Sequence, residues 1–128
     1  TAHECVVYVP QALPAVLMKL AALRDRKEDP AKDHGRHHAL DLFRIIGMLT
    51  ADEAAVAAGL IDEYDSHPVL LAARVAARDL FDGANSPGRI RMREHPQFPG
   101  GDLIDQFVDE LHRLLSDRQS VQANDAKP

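Results

Sequence analysis

Histidines and an aspartate recur at short spacing in the second quarter of the chain, in the run KDHGRHHALD. His34, His37, His38 and Asp41 form the pattern HxxHHxxD, and residues three or four apart lie over the same turn of a helix. Imidazole and carboxylate groups are common ligands of zinc, although structural zinc sites usually also contain cysteine, and none is nearby. The pattern predicts either a metal site at His34, His37 and His38 or solvated histidines at the start of a helix.

Cationic side chains precede the histidines. Lys19 and Arg26 are seven residues apart, which makes them nearly eclipsed on a helix that turns by about 100° per residue. Lys32 follows in a polar loop that is short enough to fold back beside that helix. Cations held on a rigid helix bind phosphate oxygens at fixed distances. Two interpretations stay open for these residues, a phosphate-binding surface and a solvated charged face beside the core.

Hydrophobic periodicity predicts the helices that position these residues. The first carries an apolar stripe at Leu13, Val16, Leu17, Leu20 and Leu23. Capping signals then mark several boundaries, because Thr50 followed by Glu53 forms a capping box and Pro68 suits the first turn of a helix. The predicted helices cover about residues 13–27, 36–48, 51–64, 68–81 and 102–116.

One short β-strand is predicted at residues 5–9, which read CVVYV and are closed by Pro10. A single strand needs a partner, which would be another chain, a segment further upstream or a weak second strand at residues 89–93. Residues 82–101, with three prolines and four glycines, are predicted to be a long connection. We therefore expect a mainly α fold, a bundle of about five helices with one short N-terminal β-strand, in a single domain over residues 1–116 with a flexible tail at 117–128.

Composition narrows the functional class. The chain has 128 residues, is 45% hydrophobic, contains no tryptophan and carries a formal net charge of −5, so the sequence gives no strong nucleic-acid signal. The lone Cys5 cannot form an intramolecular disulfide, which favours a reducing, cytoplasmic location. No apolar run approaches the roughly 20 residues that span a bilayer, so we expect no membrane association.

The run VLMKLAALRDR at residues 16–26, the Lys32-Asp33 pair and the Asp41-Leu42 pair resemble a region of nucleotidyltransferase-fold proteins, notably the bacterial abortive-infection (AbiEii-like) group. In that group the corresponding helices lie behind the catalytic sheet. The resemblance covers the first third of the chain. It implies that the chain is the helical C-terminal part of such a protein and that it supports the binding of a nucleotide or substrate. The implied substrate-binding residues are Lys19, Arg26, Lys32, Asp33 and Asp41.

The chain departs from that family in two ways. The spacing from Asp33 to Asp41 is longer than the compact form of the family, and the chain has neither a Gly-Ser dipeptide nor an Asp-x-Asp triplet. Because nucleotidyl transfer needs a divalent metal held by carboxylates, we expect this chain alone to be inactive and any divalent metal to belong to the full-length context, with a nucleotide and a missing N-terminal domain as partners. The alternative is a non-enzymatic helical module for interaction or dimerisation, with a second copy as partner. A small metal-dependent hydrolase using the histidines is a third interpretation.

Overall fold

Helices account for most of residues 11–100 and 102–116, which are the residues described by the structure, a computed structural model. The predicted mainly α fold is confirmed, with six α-helices and no strand within these ranges. The predicted strand at residues 5–9 and the predicted tail at 117–128 lie outside them. The elements in order are α1 (Ala12–Arg26), a 3-10 turn (Pro30–Gly35), α2 (Arg36–Gly47), α3 (Ala51–Tyr64), α4 (Pro68–Phe81), α5 (Pro87–Glu94) and α6 (Asp102–Leu115).

Every one of these helices contributes to one hydrophobic core. The stripe predicted for α1 faces inward, except that Leu17 is only partly buried. Three buried alanines, Ala73, Ala76 and Ala77, line the inner face of α4, where small side chains allow neighbouring helices to approach closely. In α6, Ile104, Phe107, Val108, Leu111 and Leu115 are buried, Leu114 is partly buried, and Leu103 is 41% exposed. The core therefore follows the helical period that the sequence displays.

Glycine is required at the junction between the first two helices. Gly35 has a φ of 69°, in the left-handed region where glycine pays no steric penalty. A Cβ at this position would lie 3.2 Å from Leu23 Cδ1 and 3.4 Å from Arg26 Cβ. Gly35 thus lets the start of α2 pack directly against the end of α1.

Capping interactions between neighbouring residues mark the N-terminal ends of α3 and α4. The Thr50 hydroxyl accepts a hydrogen bond from the Glu53 backbone N–H at 3.1 Å, and the Glu53 carboxylate accepts one from the Thr50 backbone N–H at 3.0 Å. This is the predicted capping box. Pro68 occupies the first turn of α4, and His67 Nδ1 accepts the Val69 N–H at 3.1 Å. The predicted bounds of α3 are confirmed residue for residue.

The prediction for residues 82–101 is wrong in part, because α5 (Pro87–Glu94) lies within the expected connection. The weak second strand predicted at 89–93 is accordingly wrong as well, since these residues are helical. Pro87 presets the first helical turn, Met92 is fully buried, and Gly88 packs against Phe81 of α4. Tertiary packing therefore decides the conformation of a segment whose alternating arginines indicated a strand.

Within residues 11–100 and 102–116, none of the helices is both long enough and apolar enough to span a bilayer.

Candidate functional site

A cluster of polar side chains lies where α1 packs against α2, and we call Lys19, Arg26, His38 and Asp41 the polar cluster. Lys19 Nζ is 2.9 Å from Asp41 Oδ2, with the two side chains 25% and 36% exposed. Arg26 Nη1 is 2.6 Å from His38 Nε2. Three of the five predicted substrate-binding residues therefore come together, around a histidine that the sequence placed only in the metal set.

The hydrogen-bond chemistry fixes how His38 sits between its two cationic neighbours. Guanidinium and ammonium groups only donate hydrogen bonds, so Nε2 must be unprotonated to accept from Arg26. The neutral ring then carries its proton on Nδ1, whose distance of 3.5 Å from Lys19 Nζ is at the limit of any hydrogen bond. Lys19 is held by Asp41 instead. Arg26 is thus paired with a neutral ring, and the cluster retains a net positive charge.

Burial lowers the pKa of His38 below its ordinary value of 6.5. The charges of Lys19 and Arg26, followed by His37, lower it further, and the Asp41 carboxylate opposes them. The neutral form of His38 is therefore the form that the folded protein favours near neutral pH.

We expect the contribution of His38 to the free energy of unfolding to decrease as the pH falls below about 6.5. In that range the unfolded chain binds a proton at His38 while the folded chain resists it, so acid favours the unfolded state. Above that pH both states are neutral and the contribution is constant. Urea unfolding of the wild type and of His38→Gln across this range measures it, because the other histidines are common to both proteins. A difference between the two proteins that is independent of pH would contradict the prediction.

The other two predicted substrate-binding residues, Lys32 and Asp33, lie on the 3-10 turn, both exposed. Asp33 Oδ1 accepts a hydrogen bond from Arg36 Nη1 at 2.7 Å. Asp33 and His34 have φ values of 53° and 54°, so two residues other than glycine lie in the left-handed region next to Gly35. Within the described ranges neither Lys32 nor Asp33 forms a hydrogen bond or an ion pair with Lys19. The predicted surface is thus divided between the polar cluster and the turn.

The three histidines proposed as metal ligands occupy different environments. His34 is partly buried, and its Nδ1 has no hydrogen-bond partner among the residues that the structure describes. His37 is exposed, and His38 Nε2 faces Arg26. In the part of the chain that the structure describes, no three His, Cys, Asp or Glu side chains come together in a way that could hold a metal ion. The geometry therefore gives the metal hypothesis no support, and neither Asp33 nor Asp41 adds a ligand to the histidines.

A second polar network, centred on Glu94, links α5 to the first two helices. Glu94 Oε1 accepts hydrogen bonds from Arg91 at 3.0 Å and from Arg36 at 3.1 Å. Arg91 Nε also donates to the Lys27 carbonyl at the end of α1, at 2.9 Å. The hydrogen bond from Arg91 is the main reason that the pKa of Glu94 is lowered. Sequence reasoning missed this network because its members are distant along the chain.

An apolar groove of about 320 Å³ lies between α1, α3 and α4. Among its lining residues are Gln11 and His67, but no Asp, Glu, Lys or Arg. Val69 and Tyr64 are 52% and 48% exposed. We call this surface the apolar groove and define it by Leu13, Leu17, Leu60, Tyr64, Val69 and Leu70.

The apolar groove continues into two neighbouring depressions. One shares Leu17 and Val69 with it and extends along α1 and α4, and the other shares Leu13 and Leu60 and extends along α3. A continuous surface with several exposed apolar side chains is typical of a place where another segment or protein binds.

Comparison with known proteins found no match, whether among protein-family models, curated proteins or solved structures.

Proposed function

We propose that this chain is the helical portion of a nucleotidyltransferase-like protein and that its polar cluster binds nucleotide phosphates beside a catalytic sheet carried elsewhere. The observation that supports the proposal is the meeting of Lys19, Arg26 and Asp41, drawn from two helices, at distances of 2.6 to 2.9 Å from their partners. These are residues to which the sequence resemblance assigns substrate binding.

Each member of the polar cluster has a distinct part in this proposal. Asp41 neutralises Lys19 and holds its ammonium group in place. Arg26 contacts a neutral acceptor through one nitrogen, which leaves other N–H groups of the guanidinium to donate to phosphate oxygens. With His38 neutral, one positive charge remains for an anion. In this proposal the chain supplies binding, and transfer is left to the catalytic sheet, because nucleotidyl transfer needs a divalent metal held by carboxylates.

Calorimetric titration of the pure protein with ATP and with inorganic phosphate tests the proposal. Arg26→Ala and Lys19→Ala are expected to weaken ATP binding by about tenfold or more, since a hydrogen bond to a charged group contributes about 1.5–3 kcal/mol. Arg24→Ala is the matched control, because Arg24 is an exposed arginine of the same helix outside the polar cluster. Equal ATP affinity in all four proteins, or no binding by the wild type, would refute the proposal. Thermal melts of each variant separate lost binding from lost folding.

The alternative, a non-enzymatic module for interaction or dimerisation, is favoured by the exposed apolar side chains of α4. Val69, Leu71 and Val75 are 52%, 50% and 39% exposed. If α4 forms the contact between two copies, sedimentation equilibrium will show a concentration-dependent dimer that Leu71→Asp dissociates. A monomer at all concentrations would exclude dimerisation through this face.

A further inference from the structure

The apolar groove opens at the point where the described part of the chain begins. Gln11, the residue before α1, lines the groove together with Leu13 and Leu17. The preceding residue is Pro10, and residues 5–9 before it carry no charged side chain. An uncharged apolar segment is therefore tethered beside a surface that also lacks Asp, Glu, Lys and Arg.

Residues 5–9 have no strand with which to pair among residues 11–100 and 102–116. The one candidate at 89–93 belongs to α5. Three valines and a tyrosine in succession gain most from contact with other apolar groups, and a helical surface is what the described part of the chain offers them.

The segment is long enough to reach along the groove. Five extended residues span about 17 Å at roughly 3.3 Å per residue, whereas the six steps from Gln11 to Leu17 rise about 9 Å along a helix. The segment is therefore longer than the part of α1 that lines the groove. The tether also gives it a far higher effective concentration than a segment of a separate molecule would have.

We propose that residues 5–9 of this chain dock in the apolar groove of the same molecule, with Val7 at the centre of the contact. The occupant covers Val69 and Tyr64, which are 52% and 48% exposed. This proposal does not rest on nucleotide binding, which concerns the face of α1 that meets α2. It does place residues 5–9 on Val69, which the dimerisation alternative would also use.

The single cysteine allows a direct test on the full chain. A nitroxide label on Cys5 is expected to cause near-complete loss of the methyl NMR signals of Leu17, Leu60 and Val69, and to spare Leu49 and Leu114 in the depression between α2, α3 and α6. The second sample mixes isotope-enriched chains that carry no nitroxide with nitroxide-bearing chains that are not enriched. The enriched chains should keep these signals, because the contact is intramolecular.

A second comparison, made without any nitroxide, controls for disturbance of the structure by the label. Val7→Asp should shift the methyl signals of the groove, whereas Val121→Asp, the same replacement near the other end of the chain, should leave them in place. Groove signals that respond neither to the label nor to Val7→Asp overturn the proposal. Signal loss that persists in the mixed sample also overturns it, because the segment would then dock on a second copy.

Discussion

Replacing Gly88 by alanine is expected to lower the free energy of unfolding by about 1–3 kcal/mol, as overpacking of a dense core does. A Cβ at this position would lie 2.6 Å from Phe81 Cε1 and 2.7 Å from the Leu80 carbonyl oxygen. Phe81 is fully buried and the carbonyl belongs to the backbone of α4, so neither neighbour moves aside without disturbing the packing. We expect α5 to shift away from α4, and urea unfolding monitored by circular dichroism measures the cost.

Gly59 provides the matched control for Gly88. It lies in the interior of α3 and is exposed, and apart from its chain neighbours and the backbone of its own helix no atom of the described residues lies within 4 Å of the position that a Cβ would take. Gly59→Ala should therefore stabilise the protein by roughly 0.5–1 kcal/mol, because alanine loses less backbone entropy in a helix. If the two substitutions changed stability in the same direction, the close packing of α5 on α4 would be in doubt.

Replacing Arg74 by alanine is expected to lower the free energy of unfolding by about 2–3 kcal/mol, because hydrogen bonds from a charged group are lost while their acceptors stay in place. Arg74 Nε donates to the Leu115 carbonyl at 2.7 Å, at the end of α6. Its other nitrogens donate to the Asp65 carbonyl at 3.0 Å and to the Asp65 carboxylate at 2.7 Å, just after α3. The side chain is only 16% exposed, so water replaces these contacts poorly.

The control for Arg74 is Arg78, one turn further along the same helix and exposed. Arg78→Ala should change the unfolding free energy by less than about 0.5 kcal/mol, as surface substitutions usually do. Chemical denaturation of both variants provides the comparison. A loss for Arg74→Ala no larger than that for Arg78→Ala would mean that the three hydrogen bonds contribute little to holding α3, α4 and α6 together.

The parts of the fold that the sequence predicts well are those specified by neighbouring residues. The capping box of Thr50 and Glu53 defines α3, and the apolar period defines the inward faces of α1 and α6. Helix α5 was missed because its evidence is tertiary. Its eight residues include one fully buried apolar side chain, Met92, and a glycine whose importance appears only when Phe81 is beside it.

In the polar cluster, too, the sequence predicts what depends on spacing along one helix and does not predict what depends on the packing of two helices. Helical spacing predicts that Lys19 and Arg26 share one side of α1, and in the structure they meet Asp41 and His38 of α2 there. Spacing along one helix could not reveal that His38 would lie between the two cations, since that depends on how α2 packs on α1. Asp33 was separated from the cluster by an ion pair with Arg36, only three residues away.

The turn before α2 has a consequence for how this chain tolerates change. A left-handed conformation costs a residue other than glycine roughly 1–2 kcal/mol, and the chain adopts it at both Asp33 and His34. Nδ1 of His34 is also buried and has no hydrogen-bond partner within residues 11–100 and 102–116. Glycine or asparagine would suit this backbone better, so substituting either residue at these positions would increase the stability of the protein. The next residue, Gly35, packs against Arg26 of the polar cluster, so a substitution that makes this turn more rigid would act beside the proposed binding surface.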